Sequence, residues 1–296
     1  DMRKILILLT CIYSYNIAFT QLPNTNIYLF QMEQQSDSLF NFVNPKFLTE
    51  FNSDGYNNQP SFIANDEIYF SMGSTSEESQ TDIISINLKT QIKTQITLSE
   101  DSEYSPTSLL EPYYFSCVRQ EADGKNTQRL WIFPKDRSSN GKPLLPIQTN
   151  VGYHCWLKNN LVALFIVGEP HKLAIANTLD QSVITLTSDI GRCFQRLPNG
   201  NLAFIHKLKN SNWIIKELDI NTMRSKTIVS AVPQSEDFVV LPDNTFLMAH
   251  GSKLFKYKQG WDTRWLEIAD FAKYKLKNIT RMAINQNGKI AIVNVK

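Results

Sequence analysis

Leu197-Pro198-Asn199-Gly200-Asn201-Leu202-Ala203-Phe204-Ile205 sets a turn dipeptide ahead of an apolar run. The pattern returns at Leu241-Pro242-Asp243-Asn244-Thr245-Phe246 and at Asn285-Gln286-Asn287-Gly288-Lys289-Ile290. Asn-Gly and Asp-Asn tolerate the positive φ of tight hairpin turns, so each copy reads as the corner between a first and a second strand. Working outward, the second strand lines up on Ile68, Tyr113, Leu161, Leu202, Phe246 and Ile290, at spacings of 45, 48, 41, 44 and 44 residues. That period is the length of one four-stranded blade. Blades bury their faces only against neighbouring blades, and a closed ring of them leaves few free edges. The expected fold is therefore all-β, a six-bladed β-propeller of four-stranded blades.

Six such units use nearly all of the 296 residues, so residues 21–296 are expected to form one domain. Third strands are expected at Leu130-Trp131-Ile132-Phe133, Trp213-Ile214-Ile215 and Leu254-Phe255-Lys256-Tyr257, and fourth strands at Ser182 to Thr187, Ser225 to Val229 and Trp265 to Ile268. The two ends are each incomplete. After Ile279 to Ile284 and Lys289 to Asn294 the chain stops two strands into its sixth blade, whereas Asn26 to Met32 resembles a third strand and Pro45 to Phe51 a fourth. Pairing the ends would close the ring and hide both terminal edges.

Composition excludes some functions. A net charge of +2, with lysines and arginines scattered singly, lacks the basic stripe that nucleic acid requires. No apolar run reaches transmembrane length. The first twenty residues instead read as a secretory signal peptide: Arg3 and Lys4, a short apolar run from Ile5 to Ile12, then small residues before Gln21. A lipoprotein anchored through Cys11 is the rival reading of residues 1–20. Removing that segment leaves Cys117, Cys155 and Cys193, an odd number best read as buried free thiols.

Several segments carry a resemblance. Pro23-Asn24-Thr25-Asn26-Ile27-Tyr28-Leu29-Phe30, Gly55-Tyr56-Asn57-Asn58-Gln59-Pro60-Ser61-Phe62, Glu103-Tyr104-Ser105-Pro106-Thr107 and Gly152-Tyr153-His154 resemble secreted bacterial propellers of the WD-like, TolB-type repeat class. The likeness spans Pro23 to Lys296 and implies a propeller of the Gram-negative envelope, of the Bacteroidetes type, periplasmic or secreted. It departs from the usual Pro-Asp-Gly turn at Asn65-Asp66-Glu67, Glu111-Pro112 and Lys158-Asn159-Asn160. Such repeats specify fold, and chemistry only weakly.

Propeller geometry sends the loops that lead into first strands to one mouth of the central channel. Those positions carry Gln59, Tyr104 with Ser105, His154, Arg192, Glu236 with Asp237, and Arg281. Arginines facing carboxylates suit a zwitterionic or anionic ligand, because guanidinium pairs bidentately with carboxylate. The plainer reading is a set of strand-end caps around channel water. The longest second-to-third-strand loops, Gly73 to Thr81 and Arg119 to Gln128, stand over the same face.

The sequence contains no Gly-x-Ser-x-Gly elbow, no CxxC and no zinc-type Cys/His spacing. The preferred reading is a monomeric, non-catalytic binding or scaffold propeller engaging an envelope protein, peptide or glycan at the channel mouth, with no cofactor and no metal. The alternative is a periplasmic hydrolase, lactonase or lyase at the same mouth, using His154 and Glu236 assisted by Arg192. Mass spectrometry of protein made in a Gram-negative host tests the export reading. A mature start near Gln21 without a lipid adduct is expected, and a diacylated Cys11 would make the protein a lipoprotein.

Overall fold

The computed structural model describes residues 21–75, 80–208 and 212–296; the expected signal segment, residues 1–20, lies outside the described residues. Six four-stranded antiparallel sheets account for all the described strands. From the channel outward, blade 1 is β3 (Tyr56–Ala64), β4 (Glu67–Gly73), β5 (Thr81–Asn87) and β6 (Lys93–Gln95). Blade 2 is β7 (Ser102–Ser108), β8 (Tyr114–Gln120), β9 (Gln128–Pro134) and β10 (Lys142–Pro143). Blade 3 is β11 (Val151–Lys158), β12 (Leu161–Ile166), β13 (Lys172–Asn177) and β14 (Val183–Ser188). Blade 4 is β15 (Ile190–Arg196), β16 (Leu202–Lys207), β17 (Trp213–Asp219) and β18 (Arg224–Ser230). Blade 5 is β19 (Phe238–Val240), β20 (Thr245–His250), β21 (Lys253–Lys258) and β22 (Leu266–Asp270).

Blade 6 draws on both ends of the chain. Its inner strands are β23 (Ile279–Ile284) and β24 (Lys289–Val295), and its outer strands are β1 (Thr25–Gln34) and β2 (Phe40–Phe47). Strands β1 and β24 run antiparallel, in register from Thr25 opposite Val295 to Gln31 opposite Lys289. Gly288 makes the approach possible. It holds φ +76° and its carbonyl accepts the Met32 N–H at 2.8 Å, while a Cβ there would meet the Met32 carbonyl at 2.6 Å.

Two expectations are corrected. The fourth strand of this blade is Phe40–Phe47, not Pro45 to Phe51. Phe40 and Phe42 turn toward blade 5, where Phe42 meets the Phe271 ring edge-on at 5.1 Å, and Pro45 stands at a bulge where the β1 register shifts. The proline thus interrupts a strand and does not open one. Tyr113 is exposed and precedes β8 by one residue, so the blade 2 repeat is anchored on Phe115, which is fully buried.

The core is six interblade cores. In β16, Ala203 and Ile205 pack toward blade 5, while Leu202 and Phe204 pack toward blade 3. Alternate side chains leave opposite faces of the sheet, and both faces are covered, which is why second strands read as unbroken apolar runs. The blade 1 and 2 interface has a small apolar cluster beside a buried ion pair. Arg119 Nε lies 2.9 Å from Glu103 Oε1, and its guanidinium sits 4.2 Å from the Trp131 ring centroid. Burial, relieved in part by Arg119, raises the Glu103 carboxyl to about 7. Cys117, Cys155 and Cys193 are buried free thiols, as expected.

A buried polar latch joins blade 6 to blade 1. Asn57 Nδ2 donates to the Thr25 carbonyl at 2.8 Å and to the Asn52 carbonyl at 2.9 Å, and the Asn57 N–H donates to Thr25 Oγ1 at 3.0 Å. Thr25, Asn26, Thr49 and Asn57 are essentially inaccessible to solvent. Asn57→Ala is expected to cost about 3 kcal/mol, because it strands several buried partners at once. Deleting residues 21–51 should lower the melting temperature far more, since it uncovers β24. Calorimetry on both variants checks this, and an equally stable truncation would refute the closure as the source of stability.

Candidate functional site

The inner strands are irregular where they line the channel. Ladder register shifts between Asn58 and Ser61 in β3, Tyr104 and Thr107 in β7, Ile190 and Phe194 in β15, and Ile279 and Arg281 in β23. Gln59 and Ser105 sit in these bulges with φ of +56° and +55°. A bulge re-aims side chains, and here it frees Arg192 and Arg281 from the strand alternation.

Two connected spaces result. The channel, about 390 Å³, is lined by Gln59, Ser105, Tyr153, His154, Arg192, Asp237 and Arg281, among others. A side pocket of about 160 Å³ opens between blades 4, 5 and 6 and adds Trp213, Glu236, His250 and Thr280. Arg192, Asp237 and Arg281 line both, and so form the rib between them.

The rib is strongly polar. Arg192 Nε lies 3.5 Å from Glu236 Oε1, and Arg192 Nη2 donates to the Thr280 carbonyl at 3.2 Å. Glu236 Oε2 is 2.6 Å from Lys207 Nζ, which also stands 4.4 Å from the Trp213 ring centroid. Arg281 Nη2 donates to the Tyr153 hydroxyl at 3.2 Å, with its guanidinium carbon 5.0 Å from that ring's centroid. Asp237 Oδ1 accepts the Met282 N–H at 3.0 Å. Burial pushes the Asp237 carboxyl up, against the pull of Arg281 and Arg192. Burial likewise opposes the Arg281 cation, yet Tyr153, Asp237 and Tyr56 more than offset it, and its pKa rises. Three cations thus meet two carboxylates at one mouth.

The other candidate residues sit differently. Gln59 Oε1 accepts the Ser71 hydroxyl at 2.9 Å and the Ser105 N–H at 2.8 Å, tying blade 1 to blade 2. Tyr104 packs against the core between blades 2 and 3. His154 is buried, with Nε2 2.7 Å from Ser116 Oγ, which also accepts the Trp156 indole N–H at 2.9 Å. Burial lowers the His154 pKa to about 3. Within the trio of His154, Glu236 and Arg192, the structure pairs the last two, while His154 bonds Ser116. Among the described residues no group of three or more His, Cys, Asp or Glu is placed to hold a metal ion.

Sequence reasoning passed over Tyr153, Lys207, Trp213 and Thr280. Tyr153 had a usable signal, since it takes the place in blade 3 that Arg192, Asp237 and Arg281 take in blades 4, 5 and 6. Lys207 ends a second strand, and nothing in the pattern marks it as facing Glu236.

No protein-family description and no curated protein matches the sequence. Solved structures do. A candidate TolB from Agrobacterium tumefaciens superposes with a TM-score of 0.63 at 8% identity, over 93% of this chain and 99% of that one. The chain has the fold of the TolB-type propellers. TolB from Acinetobacter baumannii matches with a TM-score of 0.56 at 11% identity, over 91% of this chain, which spans 64% of that protein's length. A candidate gluconolactonase matches with a TM-score of 0.58 at 8% identity, over 90% of this chain and 92% of that one. At such identities the likeness concerns the fold.

His154 also makes a pH test. Its folded pKa lies below the ordinary 6.5, so the unfolded chain binds the extra proton first. The stability that neutral His154 allows is present above pH 6.5 and is lost as the pH falls toward 3. His154→Gln is expected to flatten the acid limb of stability by up to about 1.4 kcal/mol per pH unit, as measured by urea unfolding between pH 7 and roughly pH 4. An unchanged limb would contradict a neutral buried imidazole.

Proposed function

We propose that the protein is a non-catalytic binding propeller of the bacterial envelope, exported to the periplasm or cell surface, whose lead-in mouth engages a carboxylate-bearing protein or peptide segment. The observation that carries this reading is the rib of Arg192 and Arg281 between channel and side pocket. Among the described residues each guanidinium has only part of its donor set used: Arg192 on Glu236 and Thr280, Arg281 on Tyr153. The spare donors face a concave space, where a charge-assisted hydrogen bond is strongest. Glu236 and Asp237 stand beside them and would favour a ligand that carries a cation near its carboxylate, such as a C-terminal segment with a basic side chain.

A hydrolase, lactonase or lyase needs a proton donor and acceptor able to exchange near neutral pH. His154, held by Ser116 with its pKa near 3, is poorly suited to that task, and Glu236 is clamped between Arg192 and Lys207. Those placements favour binding over turnover.

A peptide library presented with free and with amidated C-termini tests the proposal. Wild-type protein is expected to retain the free-carboxylate form selectively. Arg192→Gln should weaken that binding by about 1.5 to 3 kcal/mol, the range for hydrogen bonds to charged groups, with little change in melting temperature. Arg281→Lys keeps the charge near Asp237 but loses the fork, and should weaken binding similarly. Equal retention of both peptide forms would overturn the carboxylate reading.

A further inference from the structure

On the opposite face of the ring, a cleft of about 310 Å³ lies between blades 4 and 5. Its back wall is apolar, formed by the buried Leu197, Ile228 and Phe246. Its rim is rich in amides, Asn199 from the β15 to β16 turn, Asn244 from the β19 to β20 turn, and Gln259 with Gly260 from the β21 to β22 turn, beside the carboxylate of Glu217. Trp261 follows Gly260 directly and is 72% exposed, a large aromatic surface left in solvent. Single exposed apolar residues are ordinary, but this one comes next in the chain after a residue of the cleft and is held in place. Lys258 Nζ lies 5.4 Å from its ring centroid and is itself fixed by Asp243 at 2.8 Å.

We infer that this cleft is a second binding site, for an uncharged saccharide. Three features select that chemistry. The charges around the cleft cancel in pairs, Asp243 with Lys258 and Glu217 with Lys226 at 3.1 Å, so a charged ligand gains no net attraction. Glu217 orients the amide of Asn199, whose Nδ2 donates to Glu217 Oε1 at 2.9 Å while its Oδ1 accepts the Asn201 N–H at 3.0 Å. Among the described residues, that leaves one N–H and one lone pair of Asn199 free and gives the side chains of Asn244 and Gln259 no partner. Paired donors and acceptors of this kind match vicinal hydroxyls. A sugar ring also has an apolar C–H face that can lie on an indole while its hydroxyls reach the amides, as other amphipathic ligands do at aromatic sites. The site is independent of the carboxylate reading, because it shares no residue with the channel or the side pocket.

Isothermal titration of the intact protein with four neutral probes, maltohexaose, cellohexaose, xylohexaose and chitohexaose in its N-acetylated form, tests the inference. At least one is expected to bind saturably, with Trp261→Ala weakening it about tenfold or more and Gln259→Ala severalfold, the pattern of an aromatic anchor with polar support. Trp261 is exposed, so its variant should fold normally, which circular dichroism checks. Arg281→Lys should leave the saccharide affinity unchanged. Saturable binding by none of the four, binding retained within about twofold in Trp261→Ala, or binding lost in Arg281→Lys would each overturn the proposal, the last by moving the sugar to the channel. A peptide that binds saturably, and loses its binding in Trp261→Ala, while every saccharide fails would reassign the cleft to protein.

Discussion

The pairing of β1 with β24 is the contact on which the rest depends. Every blade buries its faces only against two neighbours, so a ring with one open seam would expose two apolar sheet faces at once. The seam is closed by seven consecutive antiparallel residue pairs from opposite ends of the chain, and then sealed by Asn57, Thr25 and Thr49 without access to water. Buried amides and hydroxyls there are fully engaged, and such a network has little tolerance for a shifted register. Gly288 adds a steric condition, since only a residue without Cβ lets the β23 to β24 turn come against Met32.

Within the ring the interfaces differ in chemistry. Most are apolar, but on the side facing blade 1, blade 2 carries a cross-strand ion pair of its own, Arg119 on Glu103, with the guanidinium over Trp131 and Phe133. Ser99 and Thr97 also donate to the Glu103 carboxylate, each at 2.9 Å. Such a pair adds little net stability compared with an apolar filling of the same volume, while losing one partner leaves a buried charge. Its link to blade 1 runs through Thr97, whose hydroxyl also accepts the Ile83 N–H of β5 at 2.8 Å.

The channel mouth is equally unequal. Blades 4, 5 and 6 place charge at the lead-in position, while blade 3 places Tyr153 there, and Arg281 reaches that tyrosine from 128 residues away. The result is a lopsided rim, with cations and carboxylates gathered beside one side pocket and Tyr153 and Trp213 set among them. On the far face, the cleft between blades 4 and 5 is rimmed largely by amides, with an exposed tryptophan next in the chain. A ring built from one repeat thus presents two chemically distinct faces, because loops and bulges vary where the packed strands cannot.

The sequence by itself determined the number of blades, the hairpin turns at Asn199-Gly200, Asp243-Asn244 and Asn287-Gly288, and the closure by both termini. Those features are local or periodic, and each follows from turn stereochemistry or from apolar runs that need two covered faces. It misplaced β2 because Pro45 marks a bulge as readily as a strand start, and it anchored blade 2 on the exposed Tyr113 because an aromatic beside a turn looks the same in or out of the core. Only the tertiary structure decided that Glu236 meets Arg192 and Lys207, that His154 turns to Ser116, and that Arg119 is buried on Glu103. All but the Arg119–Glu103 pair, which faces across neighbouring strands of blade 2, join residues of different blades, and several depend on bulges that offset an inner strand. A one-residue offset reverses the direction of a side chain, and no periodicity in the sequence records it.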